Sequence, residues 1–180
     1  MNRPVPSCYV PLGVVEIREA AAEDHPVVAR LARLIWHACF RDLITPAQID
    51  YMLDRRYTGE AMAQAVASGQ LTYLLLRVDG EPLAFAAHGP AEAPTEHKLQ
   101  QLYVHPDWQG RGLGGRLMDH VEAHARRLGC RALVLTVNRG NHRARAAYEK
   151  RGFQIREAAM FDIGNGFVMD DYVMEKPLVP

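Results

Sequence analysis

The segment Val104-His105-Pro106-Asp107-Trp108-Gln109-Gly110-Arg111-Gly112-Leu113-Gly114-Gly115 constrains the fold more than any other part of this chain. It reads as a strand end, a tight turn and then four glycines in six residues, opening an amphipathic helix. Glycines at this density strip side chains from a helix N-terminus. The bare N–H groups, with the positive end of the helix dipole behind them, can hold a phosphate or pyrophosphate. A strand and a helix joined at such a cradle call for an α/β architecture and a phosphorylated ligand.

The remaining segments supply the partners of that unit. Val14 to Arg18 reads as a first strand. Asp24 is expected to cap a helix to about Phe40, with Pro26 in its first turn and Val28, Leu31, Leu34 and Ile35 on its inner face. Thr45-Pro46 opens a second helix bearing Ile49, Met52 and Leu53, and Thr58 caps a third over Gly59 to Ser68. Leu71 to Val78 and Pro82 to His88 form a hairpin about Asp79-Gly80, and Lys98 to Val104 is the strand that feeds the glycine turn. The helix beyond it runs to about Leu128, with Leu113, Leu117, Val121, Ala125 and Leu128 inward. Arg131 to Val137 is nearly all apolar and is expected to be buried on both faces. A short helix over Asn141 to Arg151 precedes a last hairpin, Phe153 to Asp162 and Phe167 to Lys176, about Asn165-Gly166. The order β-α-α-α-β-β-β-α-β-α-β-β predicts one mixed α/β domain over residues 14–180, after a lead-in over residues 1–13.

Composition narrows the function classes. With 48% apolar and 23% charged residues, 180 residues can build one proper core. Basic and acidic residues balance at 21 each, which argues against a general nucleic-acid binder. No apolar run reaches the length of a membrane span, so no membrane partner is expected. The three cysteines, Cys8, Cys39 and Cys130, have no paired spacing and read as reduced thiols of a cytoplasmic protein.

Three phosphate-binding patterns compete for the glycine turn. Gly110-Arg111-Gly112-Leu113-Gly114-Gly115 satisfies G-x-G-x-x-G, but a dinucleotide site needs an acid about 20 residues on, and no Asp or Glu occurs between Glu122 and Glu149. A nucleotide-triphosphate loop needs Lys and Ser/Thr where Arg116 and Leu117 stand. The third pattern is Gln109-x-x-Gly112-x-Gly114, followed by Asn141-x-x-Ala144-x-x-x-Tyr148-Glu149-Lys150-x-Gly152-Phe153. Over about residues 14–176 the chain resembles the GCN5-related N-acetyltransferases, whose two cofactor segments have these residues in this order, and within that family it looks like bacterial small-amine and polyamine acetyltransferases.

The resemblance implies acetyl-CoA as co-substrate, with no metal. The pyrophosphate would sit on the backbone of Gln109, Gly110, Arg111, Gly112, Leu113, Gly114 and Gly115. The pantetheine arm would pair with the strand edge at Leu102, Tyr103 and Val104, where a backbone N–H would also polarise the thioester carbonyl. Asn141 would bond the arm and Tyr148 would give a proton to the leaving sulfur. Taken by themselves, Asn141 reads equally as a helix cap and Tyr148 as a core aromatic. Many relatives carry a basic Glu on the strand before Asn141. Here Thr136 holds that position and cannot act as a base, which leaves Tyr103, His105 or a water chain.

Other features are read more plainly. His120 and His124 have metal-ligand spacing, but Val121 stands where a zinc protease has Glu and no third ligand is evident, so they read as an exposed helix face. Arg139, Arg143, Arg145, Lys150 and Arg151 read as a solvated face or an attraction for the CoA 3′-phosphate. Trp36 and Trp108 serve packing or an interface, and a homodimer is compatible with that. Asp50, Asp54, Asp162, Asp170 and Asp171 could attract a cationic acceptor, or be ordinary turn and surface acids. A small primary amine or polyamine is therefore the expected acceptor, with a peptide N-terminus or protein lysine, or a non-catalytic acyl-CoA sensor, as alternatives.

Overall fold

The computed structural model describes residues 12–178. Most of the lead-in, residues 1–11, and with it Cys8, lies outside them. The elements are β1 (Val15–Glu19), α1 (His25–Cys39), α2 (Pro46–Arg56), α3 (Gly59–Ala67), β2 (Thr72–Val78), β3 (Glu81–Pro90), β4 (Glu96–Val104), α4 (Leu113–Arg127), β5 (Ala132–Asn138), α5 (His142–Glu149), β6 (Gln154–Gly164) and β7 (Phe167–Pro177). This is the predicted order in a mixed α/β fold. One seven-stranded sheet runs β1-β2-β3-β4-β5-β7-β6, and only β4 and β5 pair in parallel.

Strand alternation divides the core into two layers. Leu74, Leu76, Ala84, Ala86 and Leu99 face α4, which contributes Leu113, Leu117, Met118, Val121 and Ala125. Tyr73, Leu75, Phe85 and Ala87 face the opposite side, under Val28, Leu31, Ile35 and Trp36 of α1 and Ile49, Met52 and Leu53 of α2. The hairpin turns have the backbone their sequences demand: Asp79 and Gly80 take φ of 51° and 85°, Asn165 and Gly166 take 55° and 76°. Thr45 and Thr58 cap α2 and α3 by accepting from Gln48 N and Ala61 N.

Three local expectations are corrected. Asp24 does not cap α1; its carboxylate accepts from Arg18, Arg77 and the Ala21 N–H, because two guanidiniums outcompete a helix end for a buried carboxylate. Leu34 is 44% exposed, and Ala32 and Trp36 take its place on the inner face. Leu128 is 61% exposed, since α4 ends one residue earlier and Gly129, at φ 75°, turns the chain away.

One irregularity shapes the sheet's centre. Ala87 pairs with Gln101 but His88 with Leu99, so Gln100 is an extra residue in β4. The β4–β5 rungs stop at Leu99–Leu135, while β5 stays paired with β7 as far as Asn138–Asp171. Beyond the bulge the two parallel strands part, and a wedge opens in the middle of the sheet.

Candidate active site

The wedge is a cavity of about 310 Å³ whose walls come from both helical and strand elements. Gln100, Gln101, Leu102 and Tyr103 of β4 form one side and Leu135, Thr136, Val137 and Asn138 of β5 the other. Asn141, Ala144 and Tyr148 border it from α5. Trp36 of α1 and Phe40, the C-cap of that helix, reach it, and Met169 and Asp171 come from β7. An open groove of about 690 Å³ adjoins it through Met52, Arg56 and Ile163, and adds Tyr51, Arg55 and Asp162. The groove's walls are tied together by Gln48 Nε2 donating to Val168 O at 3.1 Å and the Tyr51 hydroxyl donating to Ile163 O at 2.9 Å.

Hydrogen-bond alternation tells which β4 groups are available. His105 N–H donates to Leu83 O of β3 at 2.8 Å. In an antiparallel pair, alternate residues point both their N–H and C=O to the same neighbour, so Tyr103 also faces β3, whereas Leu102 and Val104 face the parted side. Their main-chain groups line an edge with no strand beside it. The Val104 carbonyl accepts from Gln109 Nε2 at 3.2 Å, which folds the turn back onto the strand end.

At the turn, Gly110 and Gly112 take φ of 79° and 83°, the left-handed region closed to most side chains. Gly112 is the N-cap of α4. A Cβ on Gly114 would lie 3.5 Å from Val104 Cγ2, so α4 seats close against the end of β4. Among the described residues, the N–H groups of Gly110 through Gly115 donate to nothing in the protein. A run of unpaired donors at the start of a 15-residue helix has the hydrogen-bonding capacity to hold an anion. Gln109 differs from its neighbours: its N–H goes to Pro106 O at 3.3 Å, and its side chain fastens the turn. Arg111 stacks over Trp108, 4.6 Å from the ring centroid.

On α5, Asn141 is the N-cap, its Oδ1 accepting from Ala144 N at 3.1 Å. Its amide nitrogen is left as a donor at the cleft. Tyr148 lies on the same side, in T-shaped contact with Phe153. Burial pushes its phenol well above the usual tyrosine value, with Tyr103 adding to the shift, so it stays protonated across the neutral range.

Candidates for the base separate clearly. Burial pushes the Tyr103 phenol up to about 12, where it holds its proton at neutral pH. His105 does not border the cleft; its Nδ1 accepts from Asp107 N at 3.3 Å and stiffens the turn. Of the five acids considered from the sequence, Asp50 and Asp54 pair with Arg33 on the outside of α1 and α2, and Asp170 pairs with Arg139. Asp162 lies at the outer groove. Asp171 alone lines the cleft, 6% exposed, with Oδ1 buried and unpartnered. Burial, reinforced by Asp170, pushes its carboxyl up to about 6, against the opposing pull of Arg56 and Lys98. The sequence reading named Asp171 only as one of several acids. The signal that could have singled it out is strand alternation, which turns one of Asp170 and Asp171 outward and the other inward.

Comparisons with known proteins agree with this geometry. The family described as "Acetyltransferase (GNAT) family" matches residues 30–153. The tRNA(Met) cytidine acetyltransferase of Aeropyrum pernix is 31% identical over 145 residues, covering 76% of this chain; the chain spans 20% of that relative's length. A spermidine N(1)-acetyltransferase of Thermoplasma acidophilum is 22% identical over 87% of this chain and 96% of its own. The crystal structure of PaiA N-acetyltransferase from Thermoplasma acidophilum in complex with coenzyme A superposes with a TM-score of 0.77 at 21% identity, covering 91% of this chain and 99% of that one.

Proposed function

The chain belongs to the acetyltransferase (GNAT) family, and from that premise we propose that it transfers an acetyl group from acetyl-CoA to a small primary amine by direct attack on the thioester. The observation that carries this reading is the wedge between β4 and β5, which joins a free strand edge at Leu102 and Val104 to the unpaired N–H groups of Gly110 to Gly115. The turn would hold the pyrophosphate, and the Leu102–Val104 edge would hold the pantetheine amides as an added strand does. Asn141 would donate to the same arm.

The chemistry follows from what lines the far wall. The acceptor enters through the outer groove and its nitrogen pairs with Asp171. Asp171 stands diagonally across the β5–β7 pairing from Thr136, since Thr136 pairs with Val173 and Asn138 with Asp171. It thus supplies from β7 the carboxylate that β5 lacks. It takes one proton from the entering ammonium, which frees the nitrogen lone pair to bond to the carbonyl carbon; the second nitrogen proton passes to the departing sulfur as the tetrahedral intermediate collapses. A backbone N–H of β4 stabilises the oxyanion. The C–S bond then breaks, and Tyr148 donates its hydrogen bond to the departing sulfur, whose thiol has an ordinary pKa of about 8.5. The products are the acetamide and free CoA.

The groove favours a compact acceptor. Arg55, Arg56 and Asp162 line its outer part, and Lys98 and Arg56 face Asp171 inside. Mixed charge of this kind suits an amine with one cationic centre better than an extended polycation. No described helix is long and apolar enough to cross a membrane. Cys39 and Cys130 are free thiols, which suits a cytoplasmic setting that supplies acetyl-CoA.

The test is release of free CoA thiol from acetyl-CoA with a panel of monoamines, spermidine, peptides and lysine-bearing proteins. Monoamine-dependent release above background is expected. Tight acetyl-CoA binding with no acceleration by any amine would make the protein an acyl-CoA sensor and overturn the reading.

A further inference from the structure

His88 near the end of β3, His97 near the start of β4 and His124 on α4 converge on the side of the sheet away from α1 and α2. The sequence reading left His124 on an exposed face beside His120, with no third ligand. Instead it is half-buried and its ring lies 4.9 Å from that of His88 and 5.4 Å from that of His97, centroid to centroid. His88 and His97 are 1% and 4% exposed, and His88 Nδ1 lies 2.8 Å from His97 Nε2. One ring nitrogen from each residue falls in a group spanning no more than 4.8 Å. No carboxylate belongs to this group, so nothing in it stabilises a charged imidazole.

We propose that His88, His97 and His124 form a binding site for a divalent transition-metal ion of the zinc class, which fastens the β3–β4 strand ends to α4. Three imidazoles from three separate elements are the donor set that such ions prefer. Bonds of about 2.0–2.1 Å in a tetrahedral shell set the nitrogens about 3.3 Å apart. The His88–His97 contact at 2.8 Å is shorter than that and the group as a whole spans up to 4.8 Å, so an ion would draw the three rings together by side-chain rotation. The fourth position is left to water. Both buried rings, His88 and His97, lie in a group with no carboxylate, and each turns a nitrogen toward the others. The ion's role is structural, and acetyl transfer as described above needs none. The site is independent of that reading, because none of the three histidines borders the cleft.

The experiment is titration of the chelator-stripped full chain with Zn²⁺ by calorimetry, with Co²⁺ as an optical probe and thermal melting as a second readout. One equivalent is expected to bind, to raise the melting temperature by several degrees, and to give Co²⁺ the intense visible absorption of a tetrahedral site. His124→Ala, at the half-buried position, is expected to weaken binding at least 100-fold while coenzyme A binding shows that the fold persists. His97→Gln serves the same purpose with a side chain that can still hydrogen-bond His88. Absence of saturable binding to the wild-type chain would overturn the proposal. So would wild-type affinity in both variants, which would put the ion elsewhere, on cysteines or surface acids.

Discussion

Asp171 is a carboxylate held where water solvates it poorly, and that has opposite consequences for stability and for catalysis. Its carboxyl titrates at about 6, against about 3.9 in an unfolded chain. The folded state therefore favours the protonated form. The resulting penalty is absent below about pH 4, grows through the interval, and is fully present above pH 6. Two units correspond to roughly 3 kcal/mol, so Asp171→Asn is expected to raise the melting temperature at pH 8 by about 6–12 °C. The gain should fade as melts are repeated toward pH 4. The same substitution should lower kcat/KM by about 10²-fold or more and remove the limb near pH 6 from its pH profile. If activity survives Asp171→Asn with that limb intact, the base lies elsewhere. Tyr148 makes a companion case. Tyr148→Phe keeps the ring contact with Phe153 and should lower kcat by about 10²-fold with little change in KM for acetyl-CoA.

Elements with strong periodicity or capping chemistry were legible in the sequence, and those that depend on pairing were not. Thr45, Thr58, Asp79-Gly80 and Asn165-Gly166 carry local instructions, and each takes the cap or turn its residue types specify. Asp24 misled because a good cap residue is also a good partner for arginines that only the folded sheet brings to it. The Gln100 bulge left no local mark, since an extra residue shows only in the register of the neighbouring strand. Without it the parting of β4 from β5 could not be read, nor could the proximity of Asp171 to a cleft 35 residues upstream at Thr136. The three-histidine cluster was hidden for the same reason. The glycine turn is the element whose sequence and geometry correspond most directly, and it can be tested as a unit. Gly112→Ala forces a side chain into φ of 83° at the N-cap of α4, at a cost of about 1–2 kcal/mol. It should lower stability by that amount and raise KM for acetyl-CoA, with kcat at saturation largely kept. Loss of kcat alone would mean that the turn serves the reacting atoms rather than the phosphates.

At the scale of the whole molecule, the helical layer must be held in register with the sheet for the cleft between β4 and β5 to keep its wall from α1. Along the described chain, the first passage from sheet to helical layer runs from β1 through a short 3₁₀ turn, Ala22–Asp24, into α1. Asp24 governs that passage. It is 4% exposed and accepts from Arg18 of β1 at 2.6 Å, from Arg77 of β2 at 3.3 Å and from the Ala21 N–H at 3.0 Å. One carboxylate thus links two strands to the entry of α1, which then supplies Trp36, and at its C-cap Phe40, to the cleft wall. The Arg18 hydrogen bond, with help from the Ala21 N–H and Arg77, holds the Asp24 carboxyl below the usual range, although burial opposes it. A depressed value in the folded state means stability that is present above about pH 4 and is lost as pH falls through the folded value. Asp24→Asn keeps the shape but removes the one carboxylate that Arg18 and Arg77 share, and should destabilise by about 1–3 kcal/mol at pH 7. Urea midpoints for wild type and variant should differ at pH 7 and converge as the acid end is approached. A difference that stayed constant down to low pH would assign the effect to lost hydrogen-bond geometry rather than to charge. Because the clip stands far from the phosphate turn in the chain, the variant should lose acceptor turnover through a displaced α1 before it loses affinity for coenzyme A. Parallel measurement of acetyl-CoA binding and amine-dependent CoA release would separate the two.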